Sequence, residues 1–223
     1  MRIRTFLLAL FLLSAYSLAT GQTPEKPEAA TPKAQRLETD GSKYAQLVER
    51  VKRGDMGVDF ISLRDSFGEW LCDDKAKTDA PNRDAMVAAF EAKDYPKAVE
   101  LVEVVLDYEF VQIGLHRAAE DAYRTLNNKA KADFHKEIAD KLLNSLLTSG
   151  DGKTAKTAYR VLSIREEYFI MNQLGYKTSS QALLTENDRV YDVLSGRDTK
   201  TDKQVSVYFD ITSFFGGCRR TKK

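Results

Sequence analysis

The sequence predicts an α+β fold: tetratricopeptide-like antiparallel helices, then a small, mostly antiparallel sheet carrying one short helix. Three observations predict it. Between Ser42 and Leu146, apolar residues recur at i, i+3, i+4 and i+7, the signature of helices with one buried face. After Ser149 the period shortens towards two, as in half-buried strands. The connections between helical segments are short, so consecutive helices pack antiparallel.

Before the fold, Arg2 and Arg4 precede an apolar run around Phe6–Leu13 that is too short for a membrane span, and small residues follow. Residues 1–21 therefore read as an export signal. Cleavage after Gly21 leaves Gln22 first; Ala19 is the alternative cut. The expected location is periplasmic or secreted, and no later stretch predicts a transmembrane segment in the mature chain. Residues 22–40 are rich in Pro, Ala, Thr, Lys and Glu; Pro24, Pro27 and Pro32 oppose a helix, and the segment reads as a disordered linker.

The helical region is expected over 41–148. Ser42 caps a first helix with Tyr44, Leu47, Val48 and Val51 on its buried face, and Gly54 ends it. Asp59 caps a second, with Phe60, Leu63, Phe67 and Trp70 on one side. A polar loop from Cys72 to Asn82 leads to four more: Met86–Phe90, Ala98–Val105, Leu115–Leu126 and Phe134–Leu146. Ala98 and Ala132 stand one tetratricopeptide period apart, about 34 residues. Small residues are needed wherever helices cross, so this match alone does not define the repeat.

A small α/β module is expected over 149–216, with a basic tail at 217–223. Tyr159–Ile164 reads as a strand and Arg165–Leu174 as a short helix ended by Gly175. Gln181–Thr185 and Arg189–Leu194 flank an Asn-Asp turn, and Val205–Ile211 alternate as a half-buried strand. Between them, "SGDGKT" ends like a phosphate-binding loop. That loop needs a glycine at position 147, a preceding strand and a following helix. Leu147 stands there, and the preceding segment is helical. A structural reading accounts for the same residues. Gly150 closes the helix in a left-handed conformation. Asp151-Gly152 turns the chain, and Ser163 with Glu166 forms a capping box. That box predicts that Ser163→Ala costs about 1 kcal/mol and that Glu166→Gln is nearly neutral.

"SGDGKTAKTAYRVLSIREEYFIMNQLGY", followed by "VYDVL" and "VYFDI", resembles the exported bacterial family catalogued as domain of unknown function 4919. The resemblance covers roughly Tyr44–Phe214 and is strongest over Ser149–Gly175. Its signature positions here are Ser149, Gly150, Asp151, Gly152, Thr154, Glu166, Glu167 and Tyr168. Many members carry His where Glu166 stands, so chemistry tied to that His does not transfer. The resemblance implies an exported bacterial protein and supplies no activity.

Composition narrows the function. The chain has 34 Lys and Arg against 33 Asp and Glu. Losing Arg2 and Arg4 leaves a net charge of about −1, which argues against general nucleic-acid binding. Asp151, Glu166 and Glu167 are candidates for acid–base carboxylates, weighed against a turn, a cap and a solvated helix position. His116 and Glu120 share a helix face at a metal-site spacing that only His135 would extend, so no metal or cofactor is expected. Neither cysteine adjoins a histidine, and no Gly-x-Ser-x-Gly occurs. The expected function is a non-enzymatic interaction module with a protein or peptide partner in the cell envelope. The alternative is a hydrolase or carbohydrate-active enzyme with its site near Asp151 and the Glu166–Tyr168 helix.

Cys72 and Cys218 are the only cysteines. Export to an oxidising compartment favours pairing them. The closed loop of about 146 positions sets an upper limit near 5 kcal/mol on the stabilisation. The alternative is a buried Cys72 with Cys218 free. Intact mass after alkylation without reductant separates the two: the expected result is no adduct, and two adducts on the denatured monomer refute the bond.

Overall fold

The computed structural model describes residues 41–71 and 82–215. The chain divides into two units, Met1–Pro32 and Lys33–Lys223. All described residues lie in the second. The export signal, the linker, the basic tail, Cys72 and Cys218 lie outside the described residues.

Among the described residues six α-helices come first: α1 (Lys43–Lys52), α2 (Phe60–Leu71), α3 (Arg83–Glu91), α4 (Tyr95–Leu106), α5 (Ile113–Thr125) and α6 (Lys129–Leu147). They begin where local chemistry tells them to. Ser42 accepts the Ala45 N–H, Asp94 the Lys97 N–H and Asn128 the Lys131 N–H, while Asp59 accepts the Ile61 N–H. Pro96 sits in the first turn of α4, where a missing N–H costs nothing. Among the described residues no helix is long and apolar enough to cross a membrane.

Two apolar clusters hold the helices. The first joins α1, α2 and α6 through Tyr44, Val48, Leu63, Ile138 and Leu142. Within it Tyr44, Phe67 and Trp70 form an aromatic trio with ring centroids 5.1–5.9 Å apart. The second joins α3, α4 and α5 through Met86, Val102, Val105, Ala119 and Tyr123. Each fully buried Leu, Ile or Val contributes about 1.5–3 kcal/mol. Ala98 and Ala132 both lie in the second cluster, as any close helix crossing requires. The tetratricopeptide reading stands on the sequence alone.

The C-terminal part is a four-stranded sheet with α7 (Ile164–Gln173) on one face. Its strands are β1 (Tyr159–Arg160), β2 (Tyr176–Glu186), β3 (Arg189–Asp198) and β4 (Gln204–Asp210), in the order β1-β4-β3-β2. β1 runs parallel to β4, and the other pairings are antiparallel. A third cluster fills the space between α7 and the sheet: Ile170 and Met171 meet Leu194, Val207, Phe209 and Ile211, and Leu146 at the end of α6 completes it. α6 thus touches all three cores, through Ala132, Ile138 with Leu142, and Leu146.

Several local expectations are corrected. The strand expected through Ile164 stops at Arg160, because the Leu162 N–H is taken by the Glu166 carboxylate and the chain turns into α7. β2 begins five residues earlier than alternation suggests. Tyr176–Ser180 is polar and mostly exposed, and only its pairing with β3 makes it a strand. Gly150 is not left-handed. α6 closes at Thr148, whose N–H donates to the Asn144 carbonyl, and the Ser149 N–H donates to the Leu146 carbonyl.

The capping box is also absent. Ser163 occupies the N-cap position, but its side chain accepts no cap bond, and its hydroxyl is buried without a partner among the described residues. Glu166 reaches past it to the Leu162 N–H at 2.7 Å. Its two oxygens also take a bidentate pair of bonds from Arg64 of α2, at 2.7 and 2.8 Å. A buried charge left alone is strongly destabilising.

The expected mutational order therefore reverses. Glu166→Gln should lose about 3–5 kcal/mol, because the Arg64 guanidinium stays buried without its counter-ion. Ser163→Ala should be neutral or stabilising, since it removes an orphaned hydroxyl. Urea denaturation of the two variants checks the order, and equal midpoints would refute it.

Candidate functional site

The segment Ser149–Ala158 folds back on itself before entering the sheet. The Asp151 and Gly152 N–H groups both donate to the Thr157 carbonyl, at 2.9 and 2.8 Å. The Thr154 hydroxyl caps a single 3-10 turn at Ala155–Thr157 by accepting the Thr157 N–H. The loop is then stitched down: Tyr208 N–H of β4 donates to the Gly152 carbonyl at 2.8 Å, and Arg160 N–H of β1 to the Ser149 hydroxyl at 2.9 Å.

Close approach explains both glycines. A Cβ at Gly150 would stand 2.4 Å from the Thr157 and Ala158 carbonyl oxygens. At Gly152, where φ is +68°, it would stand 2.7 Å from the Tyr159 ring and the Val207 side chain. "SGDG" is thus the geometry of a loop pressed onto a sheet, with no phosphate required to explain it.

This packing leaves a cleft of about 520 Å³ on the sheet face opposite α7. The loop contributes Ser149 and Lys156, β1 contributes Arg160, and the β2–β3 turn contributes Glu186 and Arg189. Tyr191 and Asp210 lie between them. Asp210 is buried and held by Arg189 and by the Thr212 N–H and hydroxyl, while Arg160 reaches Asp65 of α2 at 2.9 Å. Charges of both signs, an aromatic ring and a hydroxyl therefore surround one hollow.

A second groove, about 700 Å³, runs between the start of α2 and α6. Its α6 charges are ion-paired at i, i+4 along the helix, Lys129 with Asp133, Lys136 with Asp140 and Lys141 with Glu137. They read as a solvated helix face.

The sheet's other face holds a different arrangement. Glu167 of α7 and Asp192 of β3 are both fully enclosed, and the charge of Asp192 bears directly on Glu167. Gln181 of β2 donates to Asp192. Both Glu167 oxygens and Asp192 Oδ1 otherwise have no donor among the described residues. Two ionised carboxylates there would repel with nothing to satisfy them, so one shared proton is the arrangement that stands. Burial, then the charge of Asp192, pushes the Glu167 carboxyl up to about 8; burial also raises Asp192.

In the helical half, His116 and His135 do meet, with their Nδ1 atoms 3.0 Å apart. Glu120, the spacing partner of His116, instead pairs with Arg117 and Arg124. Burial, then the charge of His135, lowers His116 to about 3. Glu103 accepts from the Tyr123 hydroxyl at 2.8 Å and faces His135 Nε2 at 3.4 Å. Although burial opposes it, the His135 contact helps hold Glu103 at about 2. Among the described residues no group of three or more His, Cys, Asp or Glu is placed to hold a metal.

The three candidate carboxylates are thus separated by role. Asp151 is exposed in its turn, where the Thr157 hydroxyl and the Lys153 N–H hold it near about 2. Glu166 is bound to Arg64, and the charge of Asp192 bears on Glu167. Tyr168 points to solvent. Asp192 and Asp210 escaped the sequence reading. Asp192 had a signal: in "VYDVL" it occupies the inward position between Val190 and Leu194, where an apolar residue is expected.

A family model described as a domain of unknown function, DUF4919, matches residues 36–216. No curated protein and no solved structure matches the chain.

The carboxyl pair makes stability pH-dependent with a definite sign. The folded state holds the Glu167 proton more tightly than the unfolded chain, so its contribution is complete below the ordinary carboxyl range and is lost as pH rises. The melting temperature should fall between about pH 5 and pH 8. Glu167→Gln should flatten that fall and raise stability at the alkaline end. A calorimetric pH series checks it; an unchanged slope in the variant would refute the shared proton.

Proposed function

Because the chain belongs to the DUF4919 family, whose description carries no activity, we propose its function from the site: an exported interaction module that holds a protein or peptide of the cell envelope in the cleft at Lys156, Arg160 and Arg189. One observation carries this reading. The three segments most distinctive in the sequence, "SGDGKTAK", "VYDVL" and "VYFDI", supply Ser149 and Lys156, Tyr191, and Asp210 to a single hollow. A surface with cations, carboxylates and an aromatic ring suits a peptide, whose backbone offers donors and acceptors and whose side chains bring either charge.

The enzymatic alternative draws support from the raised Glu167 carboxyl, a property of general acids. General acid catalysis also needs substrate within hydrogen-bond reach. Glu167 is 0 % exposed and lines neither cleft described above. Asp151 and Glu166, the other members of that candidate set, are engaged by separate partners.

Affinity capture from an envelope extract tests the reading, with the wild type beside Lys156→Glu and Glu186→Trp. The first reverses a charge in the cleft and the second narrows its mouth. The expected outcome is a partner retained by the wild type and lost by both variants, with melting unchanged. Capture indifferent to both variants overturns the proposal. So does a hydrolytic activity, in a broad substrate panel, that Glu167→Gln abolishes without loss of fold.

A further inference from the structure

β2 is the outer strand of the sheet and eleven residues long. Among the described residues its backbone pairs with β3 alone. A free strand edge presents a row of unpaired N–H and C=O groups, and natural edges are blunted by Pro, by a central Lys, by bulges or by shortness. β2 has one bulge, at Ser179, near its start. From Ser180 to Glu186 its register with β3 is unbroken, and "SQALLTE" contains no Pro, Gly or Lys. In the middle of this run stands Leu183. It pairs with Asp192, on the face that α7 covers further in, yet it is 57 % exposed. An apolar side chain on the core face, left in water at an open edge, marks where the layer continues.

We propose that a second copy of this chain adds to this edge, its β2 antiparallel to the first, with the two-fold axis through Leu183. The register follows from the strand itself. Within a regular run, directly opposed residues must point to the same face, so the axis passes through a residue and not between two. Only an axis at Leu183 pairs the whole bulge-free run with itself. Leu183 then faces Leu183 across the axis and each covers the other. Gln181 faces Thr185, and Ala182 faces Leu184. The charges agree with this placement. Glu186 pairs with Arg189 and Lys177 with Arg197, which puts both on the outer face. In the paired edge, Glu186 of each copy faces Ser180 and has Lys177 as its next neighbour on that face, twice by symmetry. No like charges are opposed. The two sheets become one of eight strands, and the open edges lose their unpaired groups.

Sedimentation equilibrium over a wide concentration range, with hydrogen–deuterium exchange alongside, tests this. The wild type should approach the mass of two chains as concentration rises, and the 180–186 amides should become slower to exchange as it does. Leu183→Lys places like charges at the axis. It should weaken association about tenfold or more, while the dilute variant keeps the wild-type circular dichroism and melting temperature, because Leu183 is exposed. A wild type that stays single-chain at all concentrations overturns the proposal. Equal association of the variant does the same. Protection of 180–186 that is independent of concentration also overturns it, since a segment of the same chain would then occupy the edge.

Discussion

The Arg64–Glu166 ion pair fastens the sheet to the helices. Arg64 is 4 % exposed, so its charge stands only because the pairing is complete. Two bonds go to the Glu166 carboxylate, and a third, at 3.2 Å, goes to the Arg160 carbonyl as β1 ends. Glu166 in turn holds the Leu162 N–H. One guanidinium on α2 thereby sets where β1 stops and where α7 starts. The same helix receives the end of the sheet at Gly68, where an added Cβ would stand 2.8 Å from Ser213. The Asp65–Arg160 pair beside it is exposed and adds little by itself.

With β1 and α7 fixed in this way, the two faces of the sheet acquire different chemistry. The inner face carries the apolar cluster and, at its margin, the Glu167–Asp192 pair. On the outer face, Ser149, Ala155, Lys156 and Ala158 of the preceding loop border the cleft at one end. That loop is held locally: its Asp151 and Gly152 N–H groups donate to the Thr157 carbonyl, its Gly152 carbonyl accepts from Tyr208, and its Ser149 hydroxyl accepts from Arg160. Rigid loops on a scaffold are where recognition is usually placed, and the cleft borders this one.

The helical half uses buried polarity in another way. His116 Nε2 faces the Phe110 carbonyl at 2.7 Å and donates to it, which leaves His116 Nδ1 as an acceptor. His135 Nδ1 must then donate across the 3.0 Å gap. Its other nitrogen faces Glu103, which the Tyr123 hydroxyl also serves. The chain of bonds runs from the loop after α4 through α5 and α6 and back to α4. It fixes the relative placement of these helices in a way that apolar contacts, being non-directional, do not.

The sequence by itself determined what depends on near neighbours. Helix starts at Ser42, Asp59, Asp94 and Asn128 follow from side chains bonding N–H groups two or three residues on, and the alternation from Val205 to Ile211 follows from strand geometry. The α+β class was legible from these periods, and family membership from the motif run after Ser149. Tertiary structure decided the rest. Ser163 and Glu166 satisfy the capping-box spacing, yet Glu166 left that role for Arg64, 102 residues away. A full charge in a closed interior outweighs one hydroxyl–amide bond, and no local pattern encodes such a partner. Gly150 looked like a helix terminator, but what requires it is the approach of a backbone seven residues on. The cleft draws on positions 149 to 210, and the carboxyl pair joins α7 to β3. Both exist only because the chain folds those distant positions together, and proximity across the fold has no period to read.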